Sequence, residues 1–185
     1  MLTCDLHRLR AMELADVQAL HSWENASEDW WMGASVLPVS VEAMTQFATG
    51  NHDLYRDRQW RWMLDTRDAP GSPWRTVGAL DLYDFEPRQL RAGVAVHIAV
   101  SERRAGHAQA GLALLRDHAS SHLGLRQLYA EVPAHHVASL GLFERAGYRT
   151  TGRREQWIRT PQGGWSDVVT LQLFLDGDDR EIGET

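Results

Sequence analysis

The chain has 185 residues, with 25 acidic and 19 basic side chains and a formal charge of −6. Every one of the 19 is Arg; the absence of Lys excludes a Schiff-base or general-base lysine and a P-loop, whose Lys is obligatory. A net acidic chain with no Lys/Arg run also argues against non-specific nucleic-acid binding, which rests on neutralising phosphates.

The length fits one domain. The first residues, MLTCDLHRLR, lack the apolar core of a signal peptide. No stretch approaches the ~18 apolar residues of a membrane span. The single Cys4 cannot form an intramolecular disulfide. A soluble, cytoplasmic protein without a membrane association is expected.

In chain order, Leu6–Met12 alternates loosely and reads as a short strand. Residues 15–24 place Val17, Leu20 and Trp23 at helical spacing. A second helix is expected over Val41–Ala48, with Ser40 as N-cap and Glu42 in its first turn. Gln59–Asp65 alternates as a strand. The turn-rich 68–73 leads to another at Thr76–Tyr83, so these two form a predicted hairpin. Ala92–Val100 is the most apolar run and predicts a central strand buried on both faces. One of its faces carries Val94, Val96, Ile98 and Val100. The other carries Gly93, Ala95, His97 and Ala99, small except for the His, which lets something approach the backbone. A helix follows over 108–123, ended by Gly124, then a strand at Gln127–Val132. A helix at Val137–Ala146 has Gly147 as its left-handed terminator. Arg149–Arg159 and Trp165–Leu175 make a final hairpin, and residues 176–185 form a polar acidic tail. The order β-α-α-β-β-β-α-β-α-β-β describes a mixed α/β domain over residues 1–175.

The informative segment joins the central strand to its helix: Arg103-Arg104-Ala105-Gly106-His107-Ala108-Gln109. A helix N-terminus presents unpaired N–H groups and the positive end of the dipole, which suits phosphate. Gly106 permits a positive φ, and adjacent Arg side chains can hold phosphate oxygens in pairs. The bland alternative is a solvated turn with a chance Arg pair.

At this point the sequence resembles the GNAT N-acetyltransferases. Arg103-x-x-Gly106-x-Ala108 matches the Arg/Gln-x-x-Gly-x-Gly/Ala loop that holds the acetyl-CoA pyrophosphate in that family. Leu128-Tyr-Ala-Glu-Val132 looks like the family's next strand. His136-x-x-Ser139-x-x-x-Phe143-x-x-x-Gly147-Tyr148 looks like its Asn-x-x-Ser…Tyr…Gly-Phe helix. Gly152 with Arg154, and Gly164-Trp-Ser-Asp167, resemble the closing hairpin of the spermidine and ribosomal-protein acetyltransferase branch. The similarity spans about residues 6–175.

The resemblance implies a mostly antiparallel central sheet with a splay between two parallel strands, flanked by about four helices. It implies acetyl-CoA as co-substrate and no metal. Pantetheine would pair with backbone groups of Ile98 and Val100, and pyrophosphate with N–H groups from Arg103 to Gln109 (Arg104, Ala105, Gly106, His107 and Ala108 included). His136, Ser139 and Phe143 would line the cofactor from the next helix. A backbone N–H near His97 or Ile98 would polarise the thioester carbonyl. The acceptor would be a small-molecule amine or a protein N-terminus, and a homodimer is possible. Two positions depart from the pattern: His136 replaces Asn, and Phe143 replaces the Tyr that protonates the leaving thiolate. Tyr129 and Tyr148 are near in sequence.

Glu131, on the strand bordering the splay, is the first candidate base; its alternative role is an ion pair with an Arg of a neighbouring strand. His97 is the second candidate, its alternative a satisfied core histidine. Glu24, Glu28, Asp29, Trp30 and Trp31 fall where the branch covers its acceptor, with Asp84 and Glu86 as further candidates; carboxylates among aromatics suit a cationic amine. The alternative is a polar loop anchored by its two Trp. His118 and His122 have zincin spacing, but Ala119 stands where that motif needs Glu. The competing function is an acyl-CoA sensor of the same fold without turnover, motivated by His136 and Phe143.

Overall fold

The structure is a computed structural model and describes residues 2–26, 37–160 and 163–175. Strands β1 (Leu2–Thr3) and β2 (His7–Ala11) open the chain. A 3-10 turn at Leu14–Asp16 feeds helix α1 (Val17–Glu24). Then come α2 (Val41–Thr49), α3 (Leu54–Asp57), β3 (Trp60–Thr66), β4 (Arg75–Glu86) and β5 (Arg91–Ile98). Helix α4 (His107–Ser121), β6 (Gln127–Pro133), α5 (Val137–Arg145), β7 (Arg149–Arg159) and β8 (Trp165–Phe174) complete it.

One sheet runs in the order β1-β2-β3-β4-β5-β6-β8-β7. Every neighbouring pair is antiparallel except β5 and β6. The mixed α/β architecture therefore stands as expected, with the closing hairpin inserting β8 between β6 and β7. Ser40 caps α2 as anticipated: its Oγ accepts the Ala43 N–H at 3.1 Å. Gly147 has the left-handed conformation of a terminator, with φ 92°.

The sheet has two unequal faces. Leu9, Leu64, Leu80, Leu82, Val94 and Leu128 bury one face under Leu112, Leu115 and Ala119 of α4 and Phe143 of α5. Met63 and Ala79 bury the other under Val17, Leu20 and Met44 of α1 and α2. Between the first strands and α1 lies a buried charge network. Arg10 donates to Asp16 through both terminal nitrogens at 2.7 Å and to Asp65 through Nε at 2.9 Å. Arg8 also donates to Asp65 at 2.8 Å.

The flanking helices stand as expected, the described residues holding four longer ones and a fifth, α3, that forms a single turn capped by Asp53, which accepts the Arg56 N–H at 2.8 Å. One turn is too short to leave a hydrophobic period. Strand β1 escaped notice for the same reason. The central strand is buried on both faces only as far as Val94; Ala95 is exposed, and Val100 lies past the strand in a 3-10 turn, 59% exposed. The physical reason is the behaviour of β6, which pairs with β5 only through Arg91↔Gln127, Ala92↔Leu128 and Gly93↔Tyr129 and then diverges. Among the described residues no helix is long and apolar enough to cross a membrane. The tail 176–185 lies outside the described residues.

Candidate active site

Where β5 and β6 part, a cleft of about 1900 Å³ passes between them and along the start of α4. The direction of β5's open hydrogen-bonding edge follows from two contacts. Leu90 O accepts from Gln127 N in β6, whereas Ala99 N donates to Val77 O on the β4 side. Strand backbone groups alternate, and the β4–β5 register is continuous from Gly93 to Ile98. The N–H and C=O of Val94, Val96 and Ile98 therefore face the gap, and those of His97 face β4. Of the two carbonyl-polarising positions anticipated, the alternation selects Ile98. Its carbonyl also accepts from Arg103 Nε at 3.1 Å, which ties the loop before α4 back onto the strand.

Gly106 is the N-cap of α4, with φ 84°. Arg104 is also left-handed, with φ 68°. Such alternations of backbone hand gather N–H groups into an anion-binding concavity. The first intrahelical bond runs from Ala110 N to Gly106 O, so the N–H groups of His107, Ala108 and Gln109 lack intrahelical partners. Arg103, Arg104 and Ala105 are exposed beside them. His107 is the buried member, 7% exposed. Its Nδ1 lies 2.9 Å from His7 Nε2, and its Nε2 lies 3.6 Å from Glu102. Burial, and then the neighbouring His107, push the His7 imidazole below its usual pKa. The loop thus offers donors and two solvent-facing guanidinium groups, the set a diphosphate needs.

Helix α5 faces the loop across the cleft. His136, Ser139 and Phe143 all line it. Phe143 is 3% exposed and meets Tyr148 edge-to-face, centroids 5.0 Å apart. Tyr148 packs behind it, its hydroxyl pushed up by burial. Tyr129 donates to Asp84 at 2.9 Å. Neither tyrosine takes the place of the hydroxyl missing at 143.

The other mouth of the cleft is charged and aromatic. His97 lines it, its ring tilted 34° against Trp23 with centroids 5.0 Å apart. Arg61 donates to both oxygens of Asp81 at 2.7 and 2.8 Å and to Glu24 at 2.9 Å. Glu131 accepts from Arg154, the ion pair considered as its alternative role. Glu86 pairs with Arg58 at 3.1 Å, away from the cleft. Glu28, Asp29, Trp30 and Trp31 lie outside the described residues. His118 and His122 stack 4.9 Å apart, and among the described residues no group of three or more His, Cys, Asp or Glu is placed to hold a metal.

Sequence reasoning missed Arg61, Asp81 and Tyr83. A signal existed for the first two. Arg61 and Asp81 are charged residues within apolar, alternating strands, and they prove to be directly opposite in the register. Tyr83 explains the small face of β5. Its ring lies on Gly93, where a Cβ would come within 2.3 Å of it. It meets Tyr129 edge-to-face at 5.7 Å. Burial first, and then the charges of Glu131 and Asp84, push its hydroxyl up to about 12, so it is protonated at neutral pH.

Comparison with known proteins agrees with this geometry. The acetyltransferase (GNAT) domain family matches residues 7–149. No curated protein matches the chain. Among solved structures, a spermidine N-acetyltransferase from Vibrio cholerae in complex with CoA and spermine superposes with a TM-score of 0.78. The identity is 18%, over 91% of this chain and 95% of that one. A dodecameric structure of spermidine N-acetyltransferase from the same organism gives a TM-score of 0.73, also at 18% identity, covering 91% and 94%. With a splayed parallel pair, an open helix N-terminus and a family match over most of its length, the chain belongs to the GNAT family of N-acetyltransferases.

Proposed function

We propose that the protein moves an acetyl group from acetyl-CoA to a primary amine by direct attack on the thioester. The observation that carries this reading is the meeting, in one cleft, of β5's open hydrogen-bonding edge and the open N-terminus of α4. The first suits pantetheine and the second the pyrophosphate. The Ile98 N–H, in the gap, stabilises the oxyanion of the tetrahedral intermediate. The amine must attack in its neutral form, so a proton leaves it before or during attack. Collapse breaks the C–S bond and gives the amide and CoA thiolate. Phe143 has no proton to give. Thiols have a pKa near ~8.5, so the thiolate departs with a proton from water.

The acceptor we favour is cationic: a polyamine or a protein N-terminus. Glu24, Asp81 and Glu131 line the acceptor mouth and outnumber Arg61 and Arg154, which pair with them. Trp23 adds an aromatic face for an ammonium group. A polyamine acceptor is further supported by the solved relative whose complex holds spermine. Free-thiol release across a panel of polyamines, peptides with free N-termini and aminoglycosides tests the reading, alongside calorimetry with acetyl-CoA. Thiol release with a polyamine or N-terminal peptide is expected. Tight acetyl-CoA binding with no release for any amine favours a cofactor sensor, the reading that Phe143 motivates. No binding overturns both.

For the base we assign Glu131, held in place by Arg154. Glu131→Gln is then expected to lower kcat about 100-fold, while Arg154→Gln, which leaves the carboxylate intact, has only a severalfold effect. Equal losses in the two variants would reduce the pair to a structural bridge. A larger loss in His97→Gln than in Glu131→Gln would transfer the role to His97.

A further inference from the structure

We propose that Tyr83 sets the length of acyl chain this protein accepts, by forming the floor of the gap between β5 and β6. The inference rests on the acetyl-CoA reading above. It begins from the depth of the gap. Pairing between the two strands ends at Gly93↔Tyr129. Ile98, whose N–H would hold the thioester carbonyl, is five residues further along, about 16 Å at the usual strand rise. An open slot of that depth, walled by Val94, Val96, Val132 and Phe143, would take a long apolar acyl chain.

Tyr83 shortens it. The residue belongs to β4 and sits opposite Gly93. Its ring comes in on the sheet face opposite Val94 and Val96, across the position a Cβ of residue 93 would occupy, with ring atoms 2.3 and 2.4 Å from that point. A glycine on β5 is therefore what lets a side chain from the next strand reach the splay. Tyr129 braces the ring edge-on from β6. The hydroxyl lies close enough to Glu131 on β6 to be shifted by its charge and its backbone. The parallel register puts Glu131 level with Ala95. The free depth below Ile98 falls from five residues to about three, or roughly 10 Å before atomic radii are subtracted. An acetyl group fits such a slot, and a six-carbon chain meets the phenol.

The test compares acetyl-CoA with hexanoyl-CoA for binding by calorimetry and for thiol release with an amine the wild-type protein uses. Wild type is expected to prefer acetyl-CoA. In Tyr83→Ala the acetyl-to-hexanoyl ratio should fall by at least about tenfold, since the added methylenes gain a buried site. Tyr83→Phe keeps the ring and should keep the wild-type ratio. Should Tyr83→Ala fail to fold, Tyr83→Leu, smaller than the ring but apolar, is expected to shift the ratio in the same direction. Acetyl-CoA binding that stays normal while the ratio is unchanged in the folded variants overturns the inference alone, as does an effect confined to the KM for the amine. A wild-type protein that binds no acetyl-CoA overturns the functional reading and this inference together.

Discussion

Gly106→Val is expected to lower acetyl-CoA affinity by about 100-fold or more, the equivalent of roughly 3 kcal/mol. Gly106 has φ 84° at the N-cap of α4, a region that a β-branched residue enters only under strain of about 1–3 kcal/mol. A Cβ at this position would meet nothing within 4 Å, so the effect is not a clash inside the free protein. It is conformational: the loop leaves the left-handed region, and the N–H groups of His107, Ala108 and Gln109 lose their common aim. A Cβ there also stands where the diphosphate must approach the backbone. Gly106→Asn separates the two contributions, because Asn tolerates the left-handed region; its affinity should lie between those of wild type and Gly106→Val. Calorimetry with acetyl-CoA, with circular dichroism to confirm folding, reads both. A valine variant within about threefold of wild type would remove the loop from the cofactor site.

Arg10→Met is expected to destabilise the fold by about 3–5 kcal/mol, which for a chain of this size is a fall in Tm of roughly 6–20 °C. Asp16 and Asp65 are 5% and 2% exposed. Arg10 bridges them from β2 to the start of α1 and to β3. Asp65 keeps Arg8 and the Thr76 hydroxyl as partners, at 2.8 and 2.9 Å. Among the described residues, Asp16 keeps only the Glu13 N–H, at 2.8 Å. The larger share of the loss is therefore an uncompensated buried carboxylate. The pH dependence follows from this. Burial works against the Asp16 charge, but hydrogen bonds from Arg10 and from the Glu13 N–H overcome it and hold its pKa below the usual carboxylate range. A depressed carboxylate pKa contributes stability that is present above the unfolded value near ~4 and is lost as pH falls through the folded value. Without Arg10 that contribution disappears and the Asp16 pKa rises. The stability gap between wild type and Arg10→Met should narrow as pH is lowered from neutrality toward 3. Urea melts across that range check it; a gap that is constant with pH would assign the loss to packing of the Arg10 stem rather than to its charge.

Most of the fold was legible because its elements are either amphipathic or punctuated. Ser40, Gly106 and Gly147 carry local signals that need no tertiary context, and each does in the structure what its residue type implies. The backbone of the Arg103–Gln109 turn was readable for the same reason, being a run of consecutive residues whose geometry is set by Gly106 and the helix behind it. The opposite mouth of the cleft was legible only in part. Glu24 stands among the residues the family resemblance points to, but Arg61 and Asp81 come from β3 and β4, and nothing in the local sequence says that the three converge. Their meeting is a matter of strand register and of how α1 lies on the sheet.

Residue type alone settled several points. The lack of Lys means that every permanently charged side-chain cation is an Arg, and Arg103 and Arg104 stand exposed at the start of α4. Phe143 carries no transferable proton in any fold. The tertiary structure decided the rest. It showed that β6 leaves β5 after Gly93, so the most apolar strand is a core strand for half its length and a cleft wall for the remainder. It drew the edge that selects Ile98 over His97 as the inward-facing N–H. It also revealed that the small face of β5 accommodates a tyrosine from its neighbour rather than a ligand at Gly93. The reason is common to all three. Hydrophobic period and turn chemistry are local and are written along the chain, whereas the point where two strands part is set by side chains from several elements competing for one space.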